Sequence, residues 1–372
     1  MKKRSVLFLL ILLSYCGVFS QTAEDYYNSG VEKQKKGFYV DALLDLTQAL
    51  KINPAFAEAY IYRAMAYSAL SKFSDALEDY NAAIILKPDD PDIYTNRAIV
   101  KSNLGNNKEA IEDCNTSILL DSAYFRTYFV RGYSKYLMKD FQGAIDDYTK
   151  TLTLKPNYTD ALYNRGMAYS ILSNFKAAIE DFDNVIELSP KDYRAFVSRG
   201  MANGRLKNFT AAISDYDAAI AIKPDFANSY YNKAFTEFEM KDFVNAERDY
   251  TLAISKREGY LDAYYNRGLT RFELKKYNEA TADYNIVLEK KPNDYETYLN
   301  RGLSKEKAGD ASGALADYNK AIEINPSYSK AYANRAYTNY SLKKFEEACA
   351  DWKKATELGS KIAETNYEQF CK

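Results

Sequence analysis

Residues 163–182 read YNRGMAYSILSNFKAAIEDF, and a stretch of the same design returns at intervals of 34 residues. A second copy spans residues 298–318, where Tyr-Leu-Asn-Arg-Gly is followed by Ala-Leu-Ala-Asp-Tyr. A 34-residue frame that starts at Ala23 carries ten such copies without an insertion or a deletion. A fixed period of this length indicates a repeat architecture, so each residue can be described by its frame position, from 1 to 34. Seven of the eight prolines keep this spacing: Pro54, Pro88, Pro156, Pro190, Pro224, Pro292 and Pro326.

Each repeat reads as two helices joined by a short turn. In the ninth repeat, Gly309-Asp310 interrupts the first helix, and Pro326 ends the second because proline cannot continue a helix. Position 20 is alanine in every copy and position 8 is glycine or alanine, so the paired helices are expected to approach closely there. Position 24 is mostly aromatic. A single pair cannot bury its apolar face alone, so we expect neighbouring repeats to stack into a solenoid.

This pattern resembles the tetratricopeptide repeat, in the variant whose copies read Y-x-N-R-G and A-I-x-D-Y. The resemblance covers residues 23–362. It implies an all-α fold, a right-handed α-solenoid (superhelix) of ten helix-turn-helix repeats closed by a C-terminal capping helix. The cap is expected at 363–372, and the repeats are expected at 23–56, 57–90, 91–124, 125–158, 159–192, 193–226, 227–260, 261–294, 295–328 and 329–362.

The first twenty residues have the composition of a bacterial export signal. Lys2, Lys3 and Arg4 are basic, and the apolar run at 5–19 is too short for a comfortable membrane span. The small residue Ser20 predicts cleavage ahead of Gln21, which leaves 21–22 as the mature N-terminus. Two alternatives are an uncleaved anchor and a lipid anchor through Cys16, although bulky Tyr15 fits a lipidation site poorly. The sequence therefore predicts an exported protein, either periplasmic or secreted.

Composition argues against several classes of function. The chain has no histidine, which removes imidazole catalysis and histidine-bound metals. Fifty basic residues balance 51 acidic ones, so the basic surface of a nucleic-acid-binding protein is not expected. No glycine-rich phosphate loop or nucleophile motif occurs outside the repeats. We predict that the protein is not an enzyme and that it binds no cofactor, no metal and no nucleic acid.

An arginine at position 7 and an aspartate at position 23 recur together. Their placement on opposing helices predicts ion pairs within each repeat that set the angle between the helices, rather than a row of catalytic acids. Ser29 replaces the arginine in the first repeat, so Asp45 is predicted to lack such a partner and this repeat to be the weakest. Representative predicted pairs are Arg63 with Asp79, Arg165 with Asp181, and Arg301 with Asp317.

The cysteines suggest one disulfide. Cys349 lies in the last repeat and Cys371 in the tail that is expected to form the cap, and an exported protein meets an oxidising compartment. We predict a Cys349–Cys371 disulfide, with simple burial of both thiols as the alternative. Cys114 takes the place of a core aromatic residue and is expected to be buried.

The resemblance also implies a ligand site, because it places positions 2, 5, 9, 12 and 13 along a concave groove that holds peptides or partner helices. Exposed aromatic rings there predict a bound partner. The alternative is that the rings cover one another. Position 6 is often asparagine, which could bond either a peptide backbone or the arginine–aspartate pairs. The candidate groove residues are Arg126, Phe129, Tyr133, Tyr136, Tyr163, Arg194, Arg205, Tyr231, Phe235, Phe238, Tyr265 and Phe272.

Two functions remain after these exclusions. The first is a protein–protein interaction scaffold that holds a peptide or a partner helix in the groove. The second is a structural or envelope-assembly component that associates with itself. The identity of the partner does not follow from the fold.

Overall fold

The computed structural model describes residues 21–372, so the predicted export signal and the alternative anchor at Cys16 lie outside the described residues. The described chain is helical throughout, with short turns and no strand. It divides into two compact units, one ending at Ala161 and one beginning at Leu162. The helices of the first unit are α1 (Ala23–Lys35), α2 (Tyr39–Ile52), α3 (Ala57–Ala69), α4 (Phe73–Leu86), α5 (Pro91–Asn103), α6 (Asn107–Leu120), α7 (Phe125–Leu137) and α8 (Phe141–Leu154).

One further helix, α9 (Thr159–Ile171), begins at the end of the first unit and continues into the second. The remaining helices of the second unit are α10 (Phe175–Leu188), α11 (Tyr193–Arg205), α12 (Phe209–Ile222), α13 (Ala227–Glu239), α14 (Phe243–Lys256), α15 (Leu261–Glu273), α16 (Tyr277–Lys290), α17 (Tyr295–Lys307), α18 (Ala311–Ile324), α19 (Ser329–Ser341), α20 (Phe345–Glu357) and α21 (Lys361–Phe370).

The helices form tandem pairs. We call the odd-numbered helices from α1 to α19 the A helices, and the even-numbered helices from α2 to α20 the B helices. Each A helix is followed by its B helix after a short turn, and pairs such as α1 with α2 and α13 with α14 pack together. The B helix then packs against the next A helix, as α12 does against α13. The prediction of an all-α solenoid of tandem helix pairs is confirmed.

The turn from the A helix to the B helix has the same backbone form in every repeat. In the first repeat the Gly37 amide donates to the Gln34 carbonyl (2.9 Å) and the Phe38 amide donates to the Lys33 carbonyl (2.9 Å), which is a Schellman turn. Such a turn requires a positive φ at position 15. Three repeats meet the requirement with glycine, and seven use a residue with a side chain: Ser71, Lys139, Ser173, Lys207, Lys241, Lys275 and Lys343.

The core lies between the two helices of each repeat. All ten alanines at position 20 are fully buried, and so are the large side chains at position 24, from Leu46 to Trp352. Glycine at position 8 allows the close approach, since a Cβ atom on Gly302 would lie 2.6 Å from Cε1 of Tyr318. The small residue at position 8 thus packs directly against the large side chain at position 24, which explains why the two recur together in the sequence.

The chain ends in the capping helix α21, which packs against α20. It begins at Lys361, two residues before the predicted start of the cap, because the Ser360 hydroxyl accepts a hydrogen bond from the Ala363 amide and caps the helix there. Across residues 21–372, every helix is too short or too polar to cross a membrane.

Candidate functional site

The recurring arginines and aspartates meet in bidentate ion pairs. Nε of Arg63 lies 2.7 Å from Oδ2 of Asp79, and Nη2 lies 2.7 Å from Oδ1. The equivalent Nη2–Oδ1 distances are 2.7 Å for Arg165 with Asp181 and 2.5 Å for Arg301 with Asp317. In these repeats the aspartate on the B helix is held by an arginine of its own A helix. Arg97, Arg131, Arg199, Arg267 and Arg335 form the same pair.

The arginines also connect neighbouring repeats. Nη1 of Arg97 donates to Asn81 on the preceding B helix (2.8 Å), and Nη1 of Arg335 donates to Asn319 (2.6 Å). In the second repeat the acceptor is the hydroxyl of Thr47 (3.3 Å). One arginine on an A helix thus forms hydrogen bonds both to its own B helix and to the B helix of the preceding repeat. This contact between repeats was not predicted, although Asn or Thr recurs at position 25.

The first repeat differs from its prediction. Asp45 does not lack partners, because the Ser29 hydroxyl donates to it (2.6 Å) and the Lys33 ammonium lies 2.6 Å from Oδ2. Lys33 stands at position 11, one helical turn after position 7 and on the same face. Lys101, Lys135 and Lys305 also contact the position 23 aspartate from this place, each at 2.8 Å. The prediction that Asp45 is unpaired was therefore wrong.

Burial dominates the electrostatics of these pairs. Asp79 and Asp181 are buried, and desolvation raises the pKa of both carboxyl groups although Arg63 and Arg165 act in the opposite direction. In both pairs the two carboxylate oxygens accept from one guanidinium. These aspartates therefore connect the two helices of a repeat inside the core.

Cys349 and Cys371 are joined in a disulfide that ties the end of α21 to α20. Cys114 is a buried free thiol in the core of the third repeat, and burial raises its pKa to about 12. No group of residues suited to hold a metal ion occurs between residues 21 and 372.

Five of the candidate groove residues line two clefts. A cleft of about 240 Å³ in the first unit contains Arg126, Phe129 and Tyr133, together with Ile99 and Asn103. We call it the 99/133 cleft. A cleft of about 280 Å³ in the second unit is lined by Arg205 and Phe235, with Met201, Asn232 and Glu239, and we call it the 201/235 cleft. Both lie between successive A helices.

Three other candidates, at position 12, pack within their own repeats. The rings of Tyr136, Phe238 and Phe272 contact the aromatic residue that begins the following B helix, at centroid distances of 5.4 Å, 5.3 Å and 5.4 Å. All three are half-buried. In these contacts the three rings are partly covered by the first residue of their own B helix and not by other groove residues.

The tyrosines at position 5 connect neighbouring repeats. Tyr231 packs against Tyr250 in its own core, and its hydroxyl accepts from Asn266 in the next repeat (2.9 Å). Tyr265 accepts from Asn300 in the same way (2.8 Å). Neither asparagine bonds the arginine–aspartate pairs.

Tyr163 occupies the same position in the fifth repeat and lies against Phe182, with its hydroxyl 3.3 Å from that of Ser198. Arg194 pairs with Asp192 (2.7 Å) and stands over the Tyr163 ring. Both of these candidate groove residues therefore make contacts inside the second unit.

The position 6 asparagine of the seventh repeat is in a different situation. Its counterpart at position 5 of the preceding repeat is Val197, which has no hydroxyl. Among the described residues, the Asn232 side chain makes no hydrogen bond, and it lines the 201/235 cleft. An amide with two donors and an acceptor therefore faces a cleft floored by Met201 and Phe235.

Position 9 carries a hydrophobic residue in all ten repeats. The most exposed of these residues are Met201 (50%), Phe235 (42%), Tyr133 (44%) and Tyr337 (55%). These four side chains lie outside the buried core of their repeats, so the fold does not require them to be apolar. The ten residues are Val31, Met65, Ile99, Tyr133, Met167, Met201, Phe235, Leu269, Leu303 and Tyr337.

Known structures share this architecture. The C-terminal part of a TPR repeat-containing protein from Cytophaga hutchinsonii matches with a TM-score of 0.53 at 18% identity, over 64% of this chain and 97% of that one. PilW, described as a widely conserved type IV pilus biogenesis factor, matches with a TM-score of 0.51 at 19% identity, over 55% and 95%. YrrB, described as a TPR protein with an unusual peptide-binding site, matches with a TM-score of 0.46 at 22% identity, over 51% of this chain and 98% of that one. Identities this low show the fold alone.

Family models extend the comparison to the sequence. One described as tetratricopeptide repeat matches residues 91–124, 193–226, 261–294 and 295–328. Others with this description match 159–192 and 317–350, and a TPR repeat model matches 64–105. No curated protein matches the chain. With matches to repeats in both units and tandem helix pairs throughout the described residues, the chain belongs to the tetratricopeptide repeat family.

Proposed function

We propose that this protein is a non-catalytic scaffold that holds a peptide segment or a partner helix of another protein, and that the 201/235 cleft is its principal anchor site. Tetratricopeptide repeat proteins are protein-interaction scaffolds, which supports the general part of the proposal. The observation that carries the specific part is the combination of Asn232, Met201 and Phe235 in one cleft.

The 201/235 cleft can bind an apolar side chain of a partner together with the peptide group next to it. Met201 and Phe235 remain 50% and 42% exposed, so an apolar side chain placed between them would remove both from water. The Asn232 amide can donate to and accept from a peptide group beside that side chain. Arg205 and Glu239 flank the cleft and would orient a partner that carries complementary charges.

Capture of the partner tests this proposal. The protein and a Met201→Ser/Phe235→Ser variant are immobilised and exposed to extract, and retained proteins are identified by mass spectrometry. A Val244→Ser variant serves as the matched control, since Val244 is an apolar residue on α14 that is 69% exposed. Circular dichroism establishes that each variant is folded.

The proposal expects a protein that is retained by the wild type and the Val244 variant and lost by the double variant. Equal retention by all three would move the interaction to another surface of the chain. Loss in the Val244 variant alone would do the same and would point to the B helices.

Self-association is a second candidate, favoured by one specific observation. Ile85 on α4 and Leu119 on α6 occupy the same frame position and are 81% and 87% exposed. Light scattering after gel filtration would detect a dimer of the wild-type protein. The Ile85→Ser/Leu119→Ser variant should then dissociate to monomers at a higher protein concentration than the wild type. A monomer at all concentrations would remove this candidate.

We also infer export, from the basic and apolar pattern of the first twenty residues. The mass of the protein recovered from cells distinguishes the alternatives. A chain beginning at Gln21 supports cleavage after Ser20 and a periplasmic or secreted protein, whereas a diacylglycerol-modified Cys16 supports a lipid anchor.

A further inference from the structure

A third cleft, separate from the 99/133 and 201/235 clefts, lies beside the capping helix. It has a volume of about 440 Å³ and is formed by α19, the start of α20 and the end of α21. Five aromatic rings line it: Tyr337, Tyr340, Phe345, Trp352 and Phe370. We call it the cap cleft.

The rings divide into a buried floor and exposed walls. Trp352 is 1% exposed and forms the floor, whereas Tyr337, Phe345 and Phe370 are 55%, 52% and 42% exposed. The Phe370 ring packs on Trp352 (5.8 Å between centroids) and on Tyr340 (4.9 Å). Exposed rings around a recess are a typical feature of interaction sites on otherwise polar surfaces.

The wall formed by Phe370 depends on the disulfide. Phe370 is the last residue of α21, and the adjacent Cys371 is bonded to Cys349 on α20. The covalent link keeps the end of α21 close to the B helix, which holds the Phe370 ring against the Trp352 ring. The cap cleft is thus preformed in the oxidised protein.

The polar groups at the cap cleft restrict the class of ligand. Lys343 is the charged residue of its lining, and an ammonium group there disfavours a cationic ligand among the rings. The Ser341 hydroxyl already donates to the Tyr337 carbonyl (3.0 Å). The lining also contains the hydroxyls of Tyr337 and Tyr340, which can donate to the carbonyl groups of a bound segment. Proline has no N–H, and a polyproline II segment presents rings and free carbonyl groups.

We propose that the cap cleft binds a proline-rich segment in the polyproline II conformation, with an acidic residue next to the prolines that pairs with Lys343. Aromatic-lined recesses suit such segments because their conformation is fixed before binding, so little entropy is lost. The site is independent of the proposed function, since none of its lining residues belongs to the 201/235 cleft.

The single tryptophan of the chain provides the measurement. The full-length oxidised protein is titrated with a blocked peptide of consecutive prolines flanked by glutamates, and Trp352 fluorescence and calorimetry are recorded. We expect saturable binding with a change in fluorescence. The Tyr337→Ser/Phe345→Ser variant should bind about tenfold more weakly, the equivalent of losing two ring contacts.

Matched variants separate this site from others. Phe38→Ser removes an aromatic ring that is 57% exposed in the first repeat, and it should leave the affinity unchanged. Cys371→Ser should weaken binding by releasing the Phe370 wall, and a lysine-flanked peptide should bind less well than the glutamate-flanked one. Absence of binding to the wild type would overturn the proposal. Equal affinity for the Tyr337→Ser/Phe345→Ser variant, or loss of binding in Met201→Ser/Phe235→Ser, would also overturn it.

Discussion

At the scale of single residues, removing the cation of a buried carboxylate is much more destabilising than the cost of burying the intact pair. Asp79 is 5% exposed and is held by Arg63, with Tyr67 at position 11 where other repeats carry a lysine. Asp113 is equally buried but contacts Lys101 as well as Arg97. The same arginine substitution should therefore have different consequences in the two repeats.

We expect Arg63→Met to destabilise its repeat by about 3–5 kcal/mol, the usual cost of breaking a buried ion pair from one side. Arg97→Met should cost clearly less, because Lys101 still neutralises Asp113. Amide hydrogen exchange in α3–α4 and α5–α6 measures the local opening free energy of each repeat. Equal losses in the two variants would show that the lysine does not compensate.

Glu237 is a buried carboxyl group of another kind. It is 4% exposed, and its Oε2 atom has no hydrogen-bond partner within the described part of the chain. Burial, followed by repulsion from Asp249 and Asp242, raises its pKa to about 7, against the opposing effect of Lys233 and Arg248. The position is one at which other repeats place a lysine.

This shift predicts a loss of stability as the pH rises. The folded protein keeps the Glu237 proton up to about pH 7, whereas the unfolded chain releases it near the ordinary glutamate pKa of 4.5. The unfolding free energy therefore falls between these values, by about 3 kcal/mol in total. Glu237→Gln should raise stability at pH 8 and have little effect at pH 4.5. The exposed neighbour Glu239→Gln is the control, and chemical unfolding at both pH values is the measurement.

At the scale of elements, the turn between the A and B helices stores local strain. A left-handed residue with a side chain costs about 1–2 kcal/mol relative to its right-handed form, and seven repeats accept that cost at position 15. Glycine avoids it, although it also gains entropy in the unfolded chain.

We expect Lys207→Gly to stabilise the protein by about 0.5–1 kcal/mol, the difference between these two effects. Lys36→Gly, one residue before the left-handed position in the first repeat, should destabilise because Lys36 is right-handed. Thermal unfolding of the two variants tests the sign. A loss of stability in Lys207→Gly would contradict the role assigned to the turn.

The capping helix is the element most dependent on one covalent bond. The disulfide closes a loop with a sequence separation of 22, which corresponds to a stabilisation of about 3 kcal/mol on the chain-entropy account. Cys349→Ser/Cys371→Ser should therefore speed hydrogen exchange in α21 and leave the exchange of α11–α14 unchanged. Faster exchange in α11–α14 as well as in α21 would mean that the disulfide stabilises more of the protein than the capping helix.

The elements could be predicted because the sequence repeats each of them ten times. Period, small residues at positions 8 and 20, and proline spacing suffice to place the helix pairs. The contacts of Asn232, Asn266 and Asn300 could not be predicted, because each depends on position 5 of the preceding repeat, where Val197 stands in one case and tyrosine in the others. The Lys33–Asp45 pair was missed because attention to position 7 left position 11 out of account.

At the scale of the molecule, a solenoid separates the groups that hold it together from those that can meet a partner. The arginine–aspartate pairs and the aromatic residues at positions 5, 12 and 24 are used in packing, within and between repeats. The surface of the A helices includes the apolar residues at position 9, and in the seventh repeat Phe235 lies beside Asn232, whose side chain makes no hydrogen bond among the described residues. The 201/235 cleft is where these features coincide.

The most direct test of this account is site-specific photo-crosslinking in cells. A photoreactive phenylalanine analogue is placed at Phe235 in the cleft and, in a second strain, at Val244 on α14. The account predicts a discrete crosslinked product with a second protein from position 235 and none from position 244. A product from position 244 alone, or the same product from both positions, would contradict the assignment of the 201/235 cleft as the site where the partner binds.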